Sequence, residues 1–270
     1  MQDRRGCSPS LERVLPEEEQ AVTEYALKHP QDGYRRLAWK MVDEDVVYLC
    51  PSSVYRILDK HDLLYRWKRS TAVGQKPQKP EAPDERWHSD ILYLWLHDRW
   101  YFMVTVIDAY SRYIIHWRLL FTMRADDVID VLEEALEKTP GANPQIVTDH
   151  GSQFMGKEFR QLVKRYTLTD IKTRKQHPES NGLIERYHRT LREEALRMAP
   201  PAGYYQATDL ITQWVEFYNN QRLHSAIKYL RPVDYYRGNP DKLVKERLNK
   251  LNQARMKRRL INQKRLKMAA

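Results

Sequence analysis

The feature that most constrains the fold is a set of three consecutive strand patterns joined by very short connections. The first covers Trp87 to Leu96, the second Trp100 to Ile107 and the third Tyr113 to Leu120. Each is rich in apolar and aromatic residues, and the tight turn His97-Asp98-Arg99 separates the first two. Connections this short join neighbouring antiparallel strands, so the pattern predicts a meander within a sheet.

Helix and strand patterns alternate after the meander. They are a helix at Ala125–Lys138, a strand at Gln145–Thr148, a helix at Gly156–Tyr166, a strand at Asp170–Lys175 and a helix at Ser180–Arg197. The resulting order, βββαβαβα, predicts an α/β fold in which helices pack on the faces of a mixed sheet. A further helix is predicted at Thr208–Asn220, with its apolar residues on one face.

The segment before the meander, residues 1–66, is predicted to be a small helical domain. Its amphipathic patterns are Glu17–His29, Tyr34–Met41 and Pro51–Lys60. Three short helices fit a helix-turn-helix DNA-binding domain. Arg56 and Lys60 on the third helix are then candidate DNA contacts, although an exposed basic face without a ligand explains them equally well.

Composition divides the rest of the chain. Residues 67–84 carry Pro77, Pro80 and Pro83, which favours an extended, semi-rigid linker. Residues 85–240 form the predicted core with its C-terminal helices. Residues 241–270 hold eleven Lys/Arg against two acids, so this tail carries +9 of the chain's net +10.

The positive charge favours a polyanionic partner, nucleic acid first. The basic tail is either a solvated, partly disordered arm or an arm that neutralises phosphates and becomes helical on DNA. The sequence has no long apolar run and no apolar leader, which predicts a cytoplasmic protein without a membrane span. Cys7 and Cys50 lie far apart, which argues against a cysteine zinc cluster.

Three acidic residues stand in unusual surroundings. Asp90 lies within an apolar strand, where an unpaired carboxylate is costly. Asp149 directly follows the buried strand that ends at Thr148, and this end of a strand is where open α/β sheets bind ligands. Glu185 lies on a helix face that also carries Arg189 and Arg192, given 100° per residue.

Three carboxylates, without a Cys or His pair at metal spacing, favour hard cations such as Mg²⁺ or Mn²⁺. Two such ions can activate a water or a 3′-hydroxyl and stabilise the leaving oxygen in phosphoryl transfer. The sequence therefore indicates a two-metal centre at Asp90, Asp149 and Glu185, with the two arginines near phosphates.

At these residues the chain resembles the DDE superfamily of retroviral integrases and bacterial insertion-sequence transposases. Thirty-five residues separate Asp149 from Glu185, an interval typical of that superfamily. The matching motifs are W-x-x-D ending at Asp90, I-D-x-x-S-R at Ile107–Arg112, T-D-x-G-x-x-F at Thr148–Phe154, P-x-x-N-G-x-x-E-R at Pro178–Arg186 and Y-N-x-x-R-x-H at Tyr218–His224. Upstream, Gly33–Leu37 and Ser53–Arg56 resemble the helix-turn-helix often found before that core.

The resemblance implies a ribonuclease-H-like fold and a transposase that cleaves transposon ends and joins the freed 3′-OH to target DNA. It implies that Asp90, Asp149 and Glu185 hold the metal and that Arg189 and Arg192 lie near the DNA end. It also implies a homo-oligomer on DNA in a bacterial, nucleoid-associated setting, and leaves open a companion protein from an upstream reading frame. Leu92 departs from the Thr or Ser common after the first acid, and the absence of a preceding zinc module favours the bacterial branch.

Two alternatives remain open at this point. The chain could be a catalytically silent, DNA-binding derivative of a transposase, or a ribonuclease-H-like nuclease that cuts without joining. For single residues, Asp108 is more readily a structural cap for the turn before Ser111 than a catalytic group. His177 either lines the site or faces solvent.

Overall fold

The computed structural model describes residues 11–64, 80–172 and 182–269. The helices are α1 (Pro16–Lys28), α2 (Tyr34–Asp43), α3 (Pro51–Lys60), α4 (Ala125–Lys138), α5 (Ser152–Met155), α6 (Lys157–Arg165), α7 (Gly182–Leu191), α8 (Tyr204–Asn220), α9 (Pro232–Tyr236) and α10 (Pro240–Ala269). The strands are β1 (Arg86–Leu96), β2 (Arg99–Asp108), β3 (Ile114–Leu120), β4 (Gln145–Thr148) and β5 (Thr169–Lys172). None of the helices in these ranges is long and apolar enough to cross a membrane.

The chain divides into two compact units. The first, called here the helical unit, comprises the described parts of Met1–Ser70 and Asn239–Ala270. The second, called the sheet unit, comprises those of Thr71–Gly238. The first and last segments of the sequence therefore lie in the same unit.

The sheet unit is built on a five-stranded mixed sheet in the order β3-β2-β1-β4-β5. Strands β1 and β2 pair antiparallel along their full length, and β2 pairs antiparallel with β3. Strand β4 pairs parallel with β1 and with β5. The meander and the mixed sheet predicted from the sequence are both present, and the order of elements matches a ribonuclease-H-like fold.

Apolar residues cover both faces of this sheet because side chains alternate along each strand. One face packs against α7 and α8 in a cluster that includes Leu94, Met103, Ile184 and Trp214. The opposite face packs against α4, α5 and α6 in a cluster that includes Val104, Leu132, Phe154 and Phe159. The sheet thus has helices on both sides, as the alternating pattern predicted.

The helical unit has a small apolar core of its own. It joins α1, α2 and α3 through residues such as Val22, Met41, Val54 and Leu58, all of which are essentially inaccessible to solvent. Leu15 precedes α1, and Glu18 caps it by accepting a hydrogen bond from the Leu15 amide at 2.9 Å. Three short helices are present where the sequence predicted a helix-turn-helix domain.

The basic C-terminal segment is one continuous helix, α10, that pairs with acids of the N-terminal helices. Arg247 forms a bidentate pair with Asp43, with N–O distances of 2.7 and 2.5 Å. Arg258 pairs with Glu18 at 2.8 Å and donates to the Tyr48 carbonyl at 3.1 Å. Further pairs join Lys250 to Asp45, Arg255 to Glu12 and Arg265 to Glu17.

These pairs bear on the two interpretations of the basic tail that the sequence left open. The segment is a helix whose basic side chains pair with these acids, which differs from a solvated, partly disordered arm. The local net charge of residues 241–270 does not reveal these ion pairs, because the acids that pair with α10 lie more than 200 residues earlier in the sequence.

Most predicted elements of the sheet unit are present, with differences at their ends. The predicted helix Gly156–Tyr166 is preceded by a separate single turn, α5, and begins one residue later at Lys157. The helix predicted to continue to Arg197 changes after Leu191 into a π-helical turn, Arg192–Leu196. Helix α9 carries Pro at its first position, and the sequence reading did not predict it. Its Tyr236 stacks on Tyr113 with ring centroids 4.5 Å apart, a contact that only the folded chain creates.

Candidate active site

Asp90, on β1, and Asp149, directly after β4, lie at matching positions of two neighbouring strands. The last parallel pair between β1 and β4 is His88 with Val147. Asp90 and Asp149 each follow that pair by two residues, so the register directs both side chains to the same face of the sheet. The strand order therefore brings together two acids that are 59 residues apart in sequence.

The turn after β4 fixes the position of the second acid. The Gly151 amide donates a hydrogen bond to Asp149 Oδ1 at 2.8 Å. A Cβ atom at Gly151 would lie 2.9 Å from the same oxygen and 2.8 Å from Gln153 Oε1, so a larger residue would displace the ends of these two side chains, the Asp149 carboxylate among them. The glycine of the T-D-x-G motif thus orients the Asp149 carboxylate, two residues before it, through its backbone amide.

Helix α7 brings the third acid to the site. Its core stripe is Ile184, Tyr187 and Leu191, all buried as the helical spacing predicted. Glu185, on the neighbouring face, is exposed. His188 lies one turn further on, buried, with Nδ1 3.6 Å from Asp90 Oδ2. This contact places the first turns of α7 beside β1.

The pKa of Asp90 depends on its burial and on the charges of the other two acids. Burial of the carboxyl group is the largest cause that raises its pKa to about 7, and the charges of Asp149 and Glu185 raise it further. A backbone hydrogen bond from Ile91 acts in the opposite direction. Burial lowers the pKa of His188 to about 3, so this imidazole is neutral and does not compensate the carboxylate. In the described parts of the chain, no lysine or arginine forms an ion pair with any of the three acids.

The donor set fits a hard divalent cation in its chemistry. Three carboxylates supply only oxygen ligands. The pKa of Asp90 is raised by burial and by two like charges, and a nearby cation would favour its charged form. Within the described residues, no three acidic, histidine or cysteine side chains are already close enough to form a metal cage. Metal binding at Asp90, Asp149 and Glu185 stays a prediction, and it requires these oxygens to come closer together.

A cavity of about 500 Å³ adjoins the acids along β1 and α7. Its charged lining comprises Glu185, Arg189, Arg192, Glu193 and Arg197. Arg192 Nη2 donates to the Tyr93 carbonyl at 3.3 Å, which holds this arginine against the edge of β1. The two arginines predicted to lie near phosphates therefore line the same cavity as Glu185.

The other predicted DNA contacts lie in the helical unit. Arg56 is exposed on α3, and its Nε donates to the Ser52 carbonyl at 3.2 Å. Lys60 is also exposed, but its Nζ lies 2.5 Å from Glu19 Oε1. The pairing lowers the charge that Lys60 presents to a polyanion, so Arg56 is the stronger prediction. His177 and Asn181 lie outside the described residues.

Two motifs outside the acid set have structural roles. Asp108 Oδ2 accepts hydrogen bonds from the Ser111 amide and hydroxyl at 2.7 and 2.5 Å, so it caps the turn. Asn219 clamps the start of β3, exchanging bonds of 2.9 and 3.0 Å with the Ile114 backbone. Arg222 forms a bidentate pair with Glu194 at 2.7 and 2.6 Å. The Y-N-x-x-R-x-H segment thus ties α8 to β3 and to the π-helical turn.

Sequence reasoning missed two residues that border the acids. His188 is buried, and its spacing, four residues after Ile184 and three before Leu191, is the signal in the sequence that indicates this burial. Lys172 Nζ donates to Thr148 Oγ1 at 2.8 Å and to the Phe154 carbonyl at 2.7 Å, at the two ends of the turn that carries Asp149. Nothing in the sequence marks this lysine, because β5 reaches β4 only in the fold.

The chain matches known proteins across this unit. Residues 80–178 and 168–232 match two models of the integrase core domain, and together they span more than half of the chain. Over 186 residues the chain is 28% identical to the transposase for insertion sequence element IS904 of Lactococcus lactis, covering 65% of this chain and 74% of that protein. Over 224 residues it is 25% identical to the transposase InsD for insertion element IS2D of Escherichia coli, covering 77% and 74%.

A solved structure agrees with the fold. A chain in the simian T-cell lymphotropic virus intasome, determined in complex with the PP2A regulatory subunit B56 gamma, superposes with a TM-score of 0.52. The two chains are 15% identical, and the match covers 81% of this chain and 74% of the other.

Proposed function

The chain belongs to the integrase core domain family, among the insertion-sequence transposases, and we propose that it cleaves the ends of its element and joins them to target DNA. The observation that best supports this proposal is that the register of β1 and β4 brings Asp90 and Asp149 to the same end of the sheet, where the charges of Asp149 and Glu185 act on the buried Asp90 carboxyl group. Uncompensated carboxylates beside arginines suit a centre that holds cations and phosphates together.

The reaction comprises two phosphoryl transfers. In the first, a water oxygen attacks a phosphorus at the element end, and the bond to the 3′ oxygen breaks to free a 3′-OH. In the second, that hydroxyl attacks a phosphorus of the target, a new P–O bond forms, and the target's own 3′ oxygen leaves. Bound divalent ions, Mg²⁺ or Mn²⁺, would activate the attacking oxygen and stabilise the leaving one.

The chain's own residues would have separate tasks. Asp90 and Asp149 would hold cations at the strand ends, and Glu185 would complete the set from α7. Arg189 and Arg192, which line the adjoining cavity, would bind phosphates of the DNA end. We further propose that Arg56 contacts DNA from the helical unit and that the protein acts as a homo-oligomer that holds two element ends.

The test uses the purified full-length chain and labelled duplexes taken from the DNA that flanks its coding region. With Mn²⁺ or Mg²⁺ we expect both cleaved and joined products on a denaturing gel. Asp149→Asn should lower both by at least about a hundredfold, because it removes a carboxylate ligand of the cations that stabilise charge at the reacting phosphate. Asp130→Asn, an exposed acid on α4, is the matched control and should retain full activity.

The products separate the competing functions. Cleaved ends without joined products would favour a nuclease. Binding of the flanking DNA without cleavage would favour a catalytically silent derivative. Full activity of Asp149→Asn would remove the acid centre from the mechanism, and full activity of the purified chain alone would show that no companion protein is needed.

A further inference from the structure

Four aromatic side chains form a ladder on one face of the β1–β2 hairpin. Tyr93 and Trp95 alternate along β1, and the register pairs them with Phe102 and Trp100 of β2. The rings meet edge to face, with centroids 5.3 Å apart for Tyr93 and Phe102 and 5.1 Å apart for Trp95 and Trp100. The residues that alternate with them on β1 are Leu92, Leu94 and Leu96, which face the opposite side and are buried in the core.

The outer part of this aromatic ladder is open to solvent. Tyr93, Trp95 and Trp100 are 45%, 55% and 49% exposed. The same sheet face is covered by α4 only nearer the other end of the hairpin, where Val104 and Val106 are fully buried. Three large neighbouring rings left in water mark a binding surface more often than a chance exposure.

The aromatic ladder meets the arginine-lined cavity at Tyr93, on the edge of β1, although the ladder is on the sheet face that packs against α4 and the arginines come from α7 and the π-helical turn on the opposite face. Strand β1 pairs with β4 only from Arg86 to His88, so beyond Asp90 its second edge is open. Tyr93 belongs to both surfaces, since its ring is part of the ladder while the residue lines the cavity and its carbonyl accepts the bond from Arg192. A flexible ligand on the ladder would therefore reach these cationic groups by passing over the edge of β1 at Tyr93.

We propose that the aromatic ladder binds unpaired bases of single-stranded DNA next to the reacting end, while the arginines bind the adjoining phosphates. Every base has a flat π-face that stacks on exposed rings, and a basic groove beside such rings is how sequence-tolerant single-strand sites are built. Arg189, Arg192 and Arg197 outnumber the two acids in the cavity, which favours a polyanion over a protein partner or a second copy of the chain. The inference rests on the proposed function, because it assigns these bases to the DNA substrate of that site.

The test measures binding of end-labelled oligothymidine to the full chain by fluorescence anisotropy, without divalent ions. Trp95→Ala combined with Trp100→Ala should weaken binding at least about tenfold, because each removes one stacking surface. Trp95→Phe combined with Trp100→Phe should keep most of the affinity, which separates loss of stacking from damage to the hairpin. Tyr205→Ala is the matched control, since Tyr205 is 82% exposed on α8 outside the ladder.

Two results would overturn the inference. One is an unchanged affinity of the double alanine variant for oligothymidine. The other is a change in its sedimentation behaviour with DNA affinity intact, which would make the ladder a contact between copies of the chain. Asp149→Asn keeps this assay distinct from the proposed function, because that variant should bind oligothymidine normally while losing cleavage.

Discussion

In the helical unit, buried cations meet carboxylates from distant parts of the sequence, whereas in the sheet unit three carboxylates approach one another without such partners. Arg247 and Arg258 are 5% and 8% exposed, and each contacts an acid of the N-terminal helices. The Asp90 side chain is 17% exposed, and the charges that raise its pKa are the like charges of Asp149 and Glu185, in addition to burial. Paired charge stabilises the first unit, while unpaired charge is available for ligands in the second.

This difference means that the same substitution, acid to amide, should have opposite effects in the two units. Removing an acid that pairs with a buried cation leaves that cation without its carboxylate and destabilises the fold. Removing an acid from a group of like charges lowers their repulsion and stabilises the fold, but it abolishes function. The predictions that follow test this contrast in order of decreasing effect.

The largest effect is expected for Asp43→Asn in the helical unit. The substitution removes the carboxylate, 38% exposed, that pairs with the buried Arg247 guanidinium, and the free energy of unfolding should fall by about 3 kcal/mol. Native-state hydrogen exchange of the α2 amides measures this unit separately. The matched control is Asp45→Asn, whose carboxylate is 59% exposed and pairs with Lys250, and it should cost less than about 1 kcal/mol. Equal effects of the two would contradict a special role for the buried pair.

An effect of opposite sign is expected for Asp90→Asn in metal-free protein. The pKa of Asp90 is about 7 in the fold against 3.8 for the ordinary group, so the folded state holds its proton more tightly. The free energy of unfolding of the sheet unit should therefore fall as pH rises from about 4 to about 7. Removing the charge should stabilise this unit by about 2 kcal/mol at pH 8 and by nothing below pH 4.

Thermal unfolding across pH, with and without Mn²⁺, measures this change. Mn²⁺ should stabilise the wild-type chain at pH 8 and have less effect on Asp90→Asn, because the cation offsets the burial cost of the Asp90 charge and its repulsion by the other two acids. Asp130→Asn again serves as the control and should behave as wild type. A variant less stable than wild type at pH 8 would show that Asp90 is compensated in the fold.

The smallest effect concerns the cations of α10 that have no acid partner in the N-terminal helices. Five of the eleven basic residues of the tail pair with acids there. Lys257→Ala combined with Arg259→Ala removes two others, and the salt dependence of DNA binding should become shallower by a slope of about 1–2. Lys250→Ala should change the slope less, since Asp45 already neutralises that lysine. An unchanged slope in both variants would mean that α10 does not contact phosphates.

Much of the sheet unit could be predicted because its signals are local. Alternation along β1 and β2, the 3.6-residue spacing of α4 and α7, and the short connections of the meander each depend on neighbours in sequence. The three acids were recognisable for the same reason, since each stands out against its own apolar strand or helix. The helices of residues 16–60 followed from equally local patterns.

The features that were missed depend on distant contacts. Lys172 borders the turn of Asp149 because β5 pairs with β4, and α9 is packed through Tyr236 against Tyr113. The role of α10 was hidden because its acid partners stand at the other end of the chain. The exposed aromatic ladder looked like an ordinary strand, because alternation alone does not say which face a helix covers.

The sequence by itself determined the element order, the apolar faces and the identity of the three acids, since local spacing and burial cost are written in neighbouring residues. Only the tertiary structure decided the register in which β1 pairs with β4. This register brings Asp90 and Asp149 to equivalent positions, each two residues after the last pair, His88 and Val147. The tertiary structure also decided that α7 lies with Glu185 close enough to act on Asp90, and that the charges of α10 are matched by the N-terminal helices. Register and packing set these distances, and Coulomb energy depends on distance in space and on burial, not on separation along the chain.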